Sequence, residues 1–344
     1  MDVILLITAL LIILICAEVF TNGVENLGKA LSLSQAVVGS VLAAVGTALP
    51  ETIIPLVAIL MYKGEEGSAI GIGAILGAPF MLVTVGLFLV GLGVFLSYFL
   101  KRRKVLEVHL EPQTFKRDFT FFLISFSLAI FFPFFLENNR FVHYVIAFLL
   151  LINYIIYLFF TFRAESLELE SEEKLYLGKL AEKLLGIKKF SKVHMVFLSF
   201  TQVSLALMLM VKGAHLFVEK LEILSRNWGL NPLLFALLIA PVATELPEKF
   251  NSLIWTMKER DILALGNMTG AMVFQSTFPV SVGLIFTNWQ VEGLALISAI
   301  IAIALGGLYL FFLTFFKRVP LYLFLISGWC YLVYGYLVIK SFFG

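Results

Sequence analysis

About ten apolar runs, each long enough to cross a bilayer, follow one another through this chain. They lie near residues 3–21, 34–62, 67–99, 118–136, 141–162, 194–218, 232–257, 261–288, 291–316 and 319–342. A helix needs about 20 apolar residues to cross the hydrocarbon, and lipid supplies no water to satisfy a backbone in any looser form. The chain therefore reads as an all-α integral membrane protein of about ten transmembrane helices. The run 67–99 exceeds one crossing and is expected to be tilted or broken near Gly77 and Pro79.

Charge and composition agree with that reading and narrow the function. Residues are 60% hydrophobic and only 14% charged, too apolar a balance for a soluble domain. A net charge of +2, with no basic stripe interleaved with aromatics, argues against nucleic-acid partners. Cys16 and Cys330 lie inside apolar runs at opposite ends and read as small hydrophobes. Met1-Asp2 precedes the first run without a basic region, so a cleaved signal peptide is not expected.

Lys and Arg orient the bundle. Lys101, Arg102, Arg103, Lys104, Lys116 and Arg117 follow the third run, seven more lie between the fifth and sixth, and Lys29, Lys258, Arg260, Lys317 and Arg318 share that side. The other side carries only Lys63, Arg140, Lys220, Arg226 and Lys340. The positive-inside rule then puts both termini outside the cytoplasm, in an inner or plasma membrane.

The longest hydrophilic stretch divides the chain into 1–162, a linker 163–193 and 194–344, with five runs on each side. In the linker, Leu177, Leu180, Ala181, Leu184 and Leu185 follow helical spacing opposite Lys179, Glu182 and Lys183, and Ser171-Glu172-Glu173 is a plausible start. This is either a basic amphipathic helix on the inner membrane surface or a solvated connector.

The two halves repeat. Ala17 to Glu51 aligns without a gap with Ala214 to Glu248 at an offset of 197 (214−17 = 248−51), with eleven identities. Gly73 and Gly77 match Gly266 and Gly270 at an offset of 193. Five crossings, an odd number, separate the copies, so the second must run through the membrane in the opposite sense. Inverted repeats of this kind build transporters whose ions bind near the midplane, where broken helices meet.

Both copies carry one costly phrase, Thr47-Ala48-Leu49-Pro50-Glu51 and Thr244-Glu245-Leu246-Pro247-Glu248, in which a carboxylate stands beside a helix-breaking proline. Pro50 frees the carbonyl of Gly46, Pro247 that of Ala243, and Pro55 does the same near Glu51. Freed carbonyls, threonine hydroxyls and carboxylates are oxygen ligands suited to hard cations such as calcium and sodium. The four histidines, His109, His143, His194 and His215, are scattered, and no Cys/His spacing matches a zinc site. No nucleophile–base pattern or phosphate-cradling loop appears, so neither an enzyme nor a cofactor is expected.

These residues resemble the cation/calcium antiporter superfamily, and within it the sodium/calcium exchangers, whose repeats carry a Gly-Thr-Ser-Leu-Pro-Glu elbow and a Gly-Asn-x-x-Gly-Ser-Asn helix. Gly46 to Glu51 and Ala243 to Glu248 look like the elbows, and Gly266-Asn267-Met268-Thr269-Gly270-Ala271-Met272 like the second helix. The resemblance implies alternating-access exchange of calcium against sodium, with Glu51 and Glu248 as central ligands assisted by Thr47 and Thr244. It also implies roles for Asn267 and for Gln275, which stands where an acidic or amide ligand is expected; both residues read otherwise as helix–helix hydrogen bonds.

The departures are concentrated. Gly73-Ala74-Ile75-Leu76-Gly77-Ala78-Pro79 lacks the family's asparagine and serine, Ala271 replaces a serine, and Glu245 stands where the family has serine. Lys249 lies four residues after Glu245, the favourable order for an ion pair. It either neutralises Glu245 or turns into the site, and the pair is either structural or part of transport. Lys212 and His215 add titratable groups near the same layer, although Lys212 reads also as a residue snorkelling to the interface. The expectation is a calcium/sodium antiporter, with proton-coupled or other-cation exchange as the alternative. A transport-inactive membrane scaffold is the reading from another class.

Overall fold

A computed structural model describes residues 1–31, 49–62, 64–135, 139–164, 174–185 and 191–343, with side chains 49, 134–135, 162–164, 184–185, 246–248 and 343 outside the description. Regular secondary structure among them is helical throughout. Helices α1 (Asp2–Ala30), α2 (Leu49–Met61) and α3 (Glu65–Met81) come first. A π turn (Leu82–Gly86) then leads into α4 (Leu87–Phe99), followed by α5 (Pro112–Phe135) and α6 (Arg140–Ala164). The linker helix α7 (Tyr176–Leu185) precedes α8 (Lys192–Asn227), α9 (Pro232–Met257), α10 (Asp261–Gln275), α11 (Phe278–Phe286), α12 (Gly293–Phe316) and α13 (Leu321–Phe343). Among the described residues seven helical stretches are long and apolar enough to cross a membrane, and Pro50–Met61 and Pro232–Glu245 are shorter apolar helices.

The long third run is interrupted later than expected. Gly77 and Pro79 both lie inside α3, and the irregularity is the π turn that follows. Pro79 removes the donor to the Ile75 carbonyl within α3 without ending the helix, and the widened turn follows it as a separate irregularity. Thr84 meets the widened turn by donating its hydroxyl to the Phe80 carbonyl at 2.5 Å. In the second half α10 stops at Gln275, and Ser276-Thr277 separates it from α11. The interruptions overlap under the 193-residue offset, since Ser276 and Thr277 correspond to positions 83 and 84 (276−193 = 83, 277−193 = 84), inside the π turn.

Two apolar cores result. One joins α1, α2 and α8 with the inner faces of α3 and α9, and the other fills the space among α3 to α6 and α9 to α13. Helices α1 and α8 run antiparallel: Gly213 lies against Ala9 and Ile13, and Gly23 against Gln202 and Val203. Small residues permit this approach, as they do wherever helices pack without a hydrophobic drive from water. The extra length of α8 beyond the run 194–218 carries an Arg226 pair with Glu222, one turn back, and with Glu66 at the start of α3.

The linker helix begins at Tyr176 among the described residues, and Ser171 lies outside them. Asn22 of α1 accepts the Tyr176 N–H at 3.1 Å, and Gln202 of α8 accepts that of Leu177 at 2.8 Å. The start of α7 is thus capped by amides from two neighbouring helices. It is docked on protein, more than a solvated connector requires.

One close crossing, between α3 and α9, lies beside the site. On α3 a Cβ placed at Gly73 would stand 2.1 Å from the Leu233 carbonyl oxygen, and one at Gly77 would stand 2.1 Å from that of Leu237. Contacts advance together along both chains, so α3 and α9 run parallel, and backbone touches backbone. Gly77→Ala is expected to destabilise the protein by about 1–3 kcal/mol through overpacking, whereas Gly307→Ala, which meets nothing among the described residues, should be neutral or slightly stabilising. Thermal denaturation of the purified proteins in detergent checks the contrast.

Candidate cation site

Where α2, α3 and α9 converge they leave a small cavity of about 10 Å³. That is room for about one water-sized particle, far below the roughly 300 Å³ at which organic ligand pockets begin. Glu51, Ile54 and Pro55 line it from α2, Ala74 and Ala78 from α3, and Ala240, Pro241, Thr244 and Glu245 from α9. Relative exposure is 8% for Glu51, 2% for Thr244 and 1% for Glu245, so two carboxylates from different halves of the chain are buried at one place.

Each wall follows from local sequence. Pro55 lies inside α2 and leaves the Glu51 carbonyl without its helical donor. Pro241 does the same to Leu237 on α9, whose carbonyl is the one that faces Gly77. Thr244 donates its hydroxyl to Ala240 of its own helix at 3.0 Å, and its oxygen lone pairs remain as acceptors. Ala74 and Ala78 contribute no oxygen. Their small side chains give the carboxylates room, and α3 reaches α9 through the glycines beside them. The oxygens that face the cavity, two carboxylates and a threonine hydroxyl, are of the type that suits a small hard cation.

The remaining residues singled out by sequence divide by position. Gly46 and Thr47 lie outside the described residues, as does the side chain of Glu248, whose backbone belongs to α9. Ala243 packs against the core of α1, α2 and α8 and is not part of the cavity wall. Lys249 is 3% exposed, one turn beyond Glu245 and likewise outside the wall. Asn267 donates to the Ser252 hydroxyl at 3.1 Å, a bridge from α10 to α9. Gln275 is buried at the end of α10, and its Oε1 accepts no hydrogen bond among the described residues.

Lys212 and His215 are not among the residues of the cavity wall; they line a separate groove with Met61, Val211, Leu216 and Glu219. His215 Nδ1 is 2.8 Å from the Tyr62 hydroxyl, and the Lys212 side chain is exposed, in line with an interface residue. The physical reason is helical phase: α8 turns Gly213 and Ala214 toward α1, which leaves positions 212 and 215 facing outward.

Two buried acids, Asp261 and Asp118, were not singled out by the sequence. Arg103 donates to both oxygens of Asp261, at 2.6 and 2.7 Å, and the Thr269 hydroxyl donates to Asp118 at 2.5 Å. Asp118 opens an apolar run, and an acid at that place was the available signal.

An all-helical membrane fold with two buried acids at one small cavity is of the kind secondary cation transporters share, and the family match assigns the chain to that class, not to the enzymes. The chain belongs to the sodium/calcium exchanger protein family, which it matches over residues 1–163 and 198–342. It is 22% identical over 291 residues to the inner membrane protein YrbG of Escherichia coli strain K12, covering 85% of this chain and 82% of that one. It is 33% identical over 91 residues to the putative antiporter CaxA of Alkalimonas amylolytica, a match that spans 26% of this chain and only 28% of CaxA. Among solved structures, the H+/Ca2+ exchanger CAX superposes with a TM-score of 0.66 at 17% identity over 99% of this chain and 88% of CAX. Native YfkE gives 0.67 at 12% identity over 100% and 93%. The sodium-calcium exchanger NCX_Mj gives 0.54 at 18% identity over 98% and 97%.

Because Glu51 stands in the cavity and Lys212 and His215 do not, their substitutions should separate. A cation at a hundredfold its dissociation constant stabilises a protein by about 2.7 kcal/mol. Glu51→Gln is expected to lose the rise in melting temperature produced by saturating calcium or sodium, while Lys212→Met and His215→Ala keep it. Thermal denaturation in detergent with each ion titrated measures this.

Proposed function

We propose that this protein is a cation antiporter that exchanges calcium against sodium by alternating access. Glu51 and Glu245 are its described carboxylate ligands, Thr244 stands beside them, and Glu248, Thr47 and the Gly46 carbonyl complete the set with Gln275; Ala243, outside the cavity wall, and Asn267, engaged with Ser252, are not counted among them. The observation that carries the reading is the burial of Glu51 and Glu245 against one cation-sized cavity beside two helix-interior prolines. Buried charges in a membrane are costly unless they serve ions or pair with one another. An arrangement of two inverted five-helix halves, 1–162 and 194–344, joined by the linker 163–193, accords with interruptions at equivalent places in both halves. It accords also with reciprocal packing: α6 lies on α11 as α13 lies on α4, and α5 on α10 as α12 on α3. The excess of Lys and Arg on one side sets both termini outside the cytoplasm in an inner or plasma membrane.

A second reading, proton-coupled or other-cation exchange, draws on the apolar Ala74 and Ala78 wall and the additional Glu245. A cage short of neutral oxygens and rich in carboxylates binds protons as readily as it binds sodium. Flux into proteoliposomes under imposed sodium or pH gradients separates the readings. Sodium-driven calcium uptake, abolished in Glu51→Gln and Glu248→Gln and strongly reduced in Glu245→Gln, is the expected result. Uptake that follows the pH gradient and ignores sodium selects the second reading, and uptake indifferent to all three substitutions overturns the site. No flux of any cation returns the protein to the scaffold class.

A further inference from the structure

Three polar tethers hold α10, the helix that ends in Gln275. At its first residue, buried Asp261 receives the Arg103 guanidinium on both oxygens and the His109 backbone N–H at 2.8 Å. Farther along, Asn267 reaches Ser252 of α9. From the other side the Thr269 hydroxyl meets Asp118 Oδ2 of α5 at 2.5 Å and lies 3.1 Å from its own Leu265 carbonyl. The other Asp118 oxygen takes the Arg117 guanidinium at 3.0 and 3.1 Å.

Helix α3, the counterpart of α10, carries none of these groups. Under the 193-residue offset Asp261, Asn267 and Thr269 correspond to Ser68, Ala74 and Leu76 (261−193 = 68, 267−193 = 74, 269−193 = 76). Its place is fixed instead by the seating of Gly73 and Gly77 on α9. Beyond the exposed Glu66–Arg226 pair at its start, α3 is located by packing with no buried ion. A carboxylate 2% exposed against a hydroxyl 1% exposed is the more expensive choice, since removing an ion from water costs several kcal/mol before its partners compensate. What it adds is direction. A short charge-assisted hydrogen bond fixes the rotation of α10 about its axis, which packing of smooth side chains does not. Thr269 is six residues, about 9 Å of helix rise, from Gln275, so rotation at one is transmitted to the other.

We infer that Asp118 is a positioning residue for transport: through Thr269 it sets the rotation of α10 and hence the placement of the buried Gln275 oxygen. Asp118 does not touch the ion. The inference rests on the antiporter reading and adds a residue outside both elbows.

The test uses full-length protein with Cys16→Ala and Cys330→Ala, and spin labels at the exposed positions Leu263 and Phe316. Thr269→Val, which keeps the shape and removes the hydroxyl, Asp118→Asn, the double variant and Thr269→Ser are compared by electron–electron distance measurement and by sodium-driven calcium uptake. Thr269→Val and Asp118→Asn should shift or broaden the distance distribution in the same way and raise half-saturating calcium about tenfold with little change in maximal rate. The double variant should be no worse than either single one, and Thr269→Ser should restore wild-type behaviour. A wild-type distance distribution in Thr269→Val overturns the inference. So does an altered distribution with unchanged half-saturation in a protein whose uptake is abolished by Glu51→Gln. If instead Glu51→Gln leaves uptake intact while the distances shift, the cation-site reading fails and the positioning of α10 by Asp118 stands.

Discussion

The site depends on backbone touching backbone where α3 crosses α9. Gly73 and Gly77 leave no room for a side chain against the Leu233 and Leu237 carbonyls, and this contact sets how far Glu51 stands from Glu245. Helix α2 folds back antiparallel on α3, with Gly71 against Ile59 and Pro55, so placing α3 also places α2 and its carboxylate. Interhelical packing in lipid lacks a drive from water and relies on such close van der Waals approach. One pair of glycines therefore fixes the cavity that the acids occupy.

Around that crossing the two halves of the chain use different means to similar ends. The first half fastens its broken helix by glycine packing, and the second by Asp261, Asn267 and Thr269. The acids differ too: the first elbow offers Glu51, while the second adds Glu245 beside Glu248 and has Lys249 buried within a turn. In the proposed site an added carboxylate raises the negative charge around a cation, and selectivity in general follows ligand number, charge and cavity size.

Much of the fold was legible because a bilayer restricts the backbone to few solutions. The apolar runs marked helices, and the repeated Thr-x-Leu-Pro-Glu phrase pointed to Glu51, Thr244 and Glu245. Other details were hidden. The π turn after Pro79 is one: the proline itself sits inside an unbroken α3, and nothing in the local sequence marks 82–86 as the place where the helix widens. Lys212 and His215 looked close to the elbow when the repeats were aligned, yet the phase of α8 turns them outward. Pro241 and the two alanines of the cavity wall carry no chemistry that a sequence displays. They matter by position alone.

The sequence by itself determined that the chain is a bundle of membrane helices with duplicated acidic elbows, because hydrophobic run length and proline placement act locally and need no partner to be read. Only the tertiary structure decided which acids meet. Glu51 and Glu245 are 194 residues apart (245−51), and their shared cavity exists because α3 can lie directly on the backbone of α9. Distances between helices are set by side-chain volume at the crossing, a quantity distributed over both partners, and no single stretch of sequence contains it.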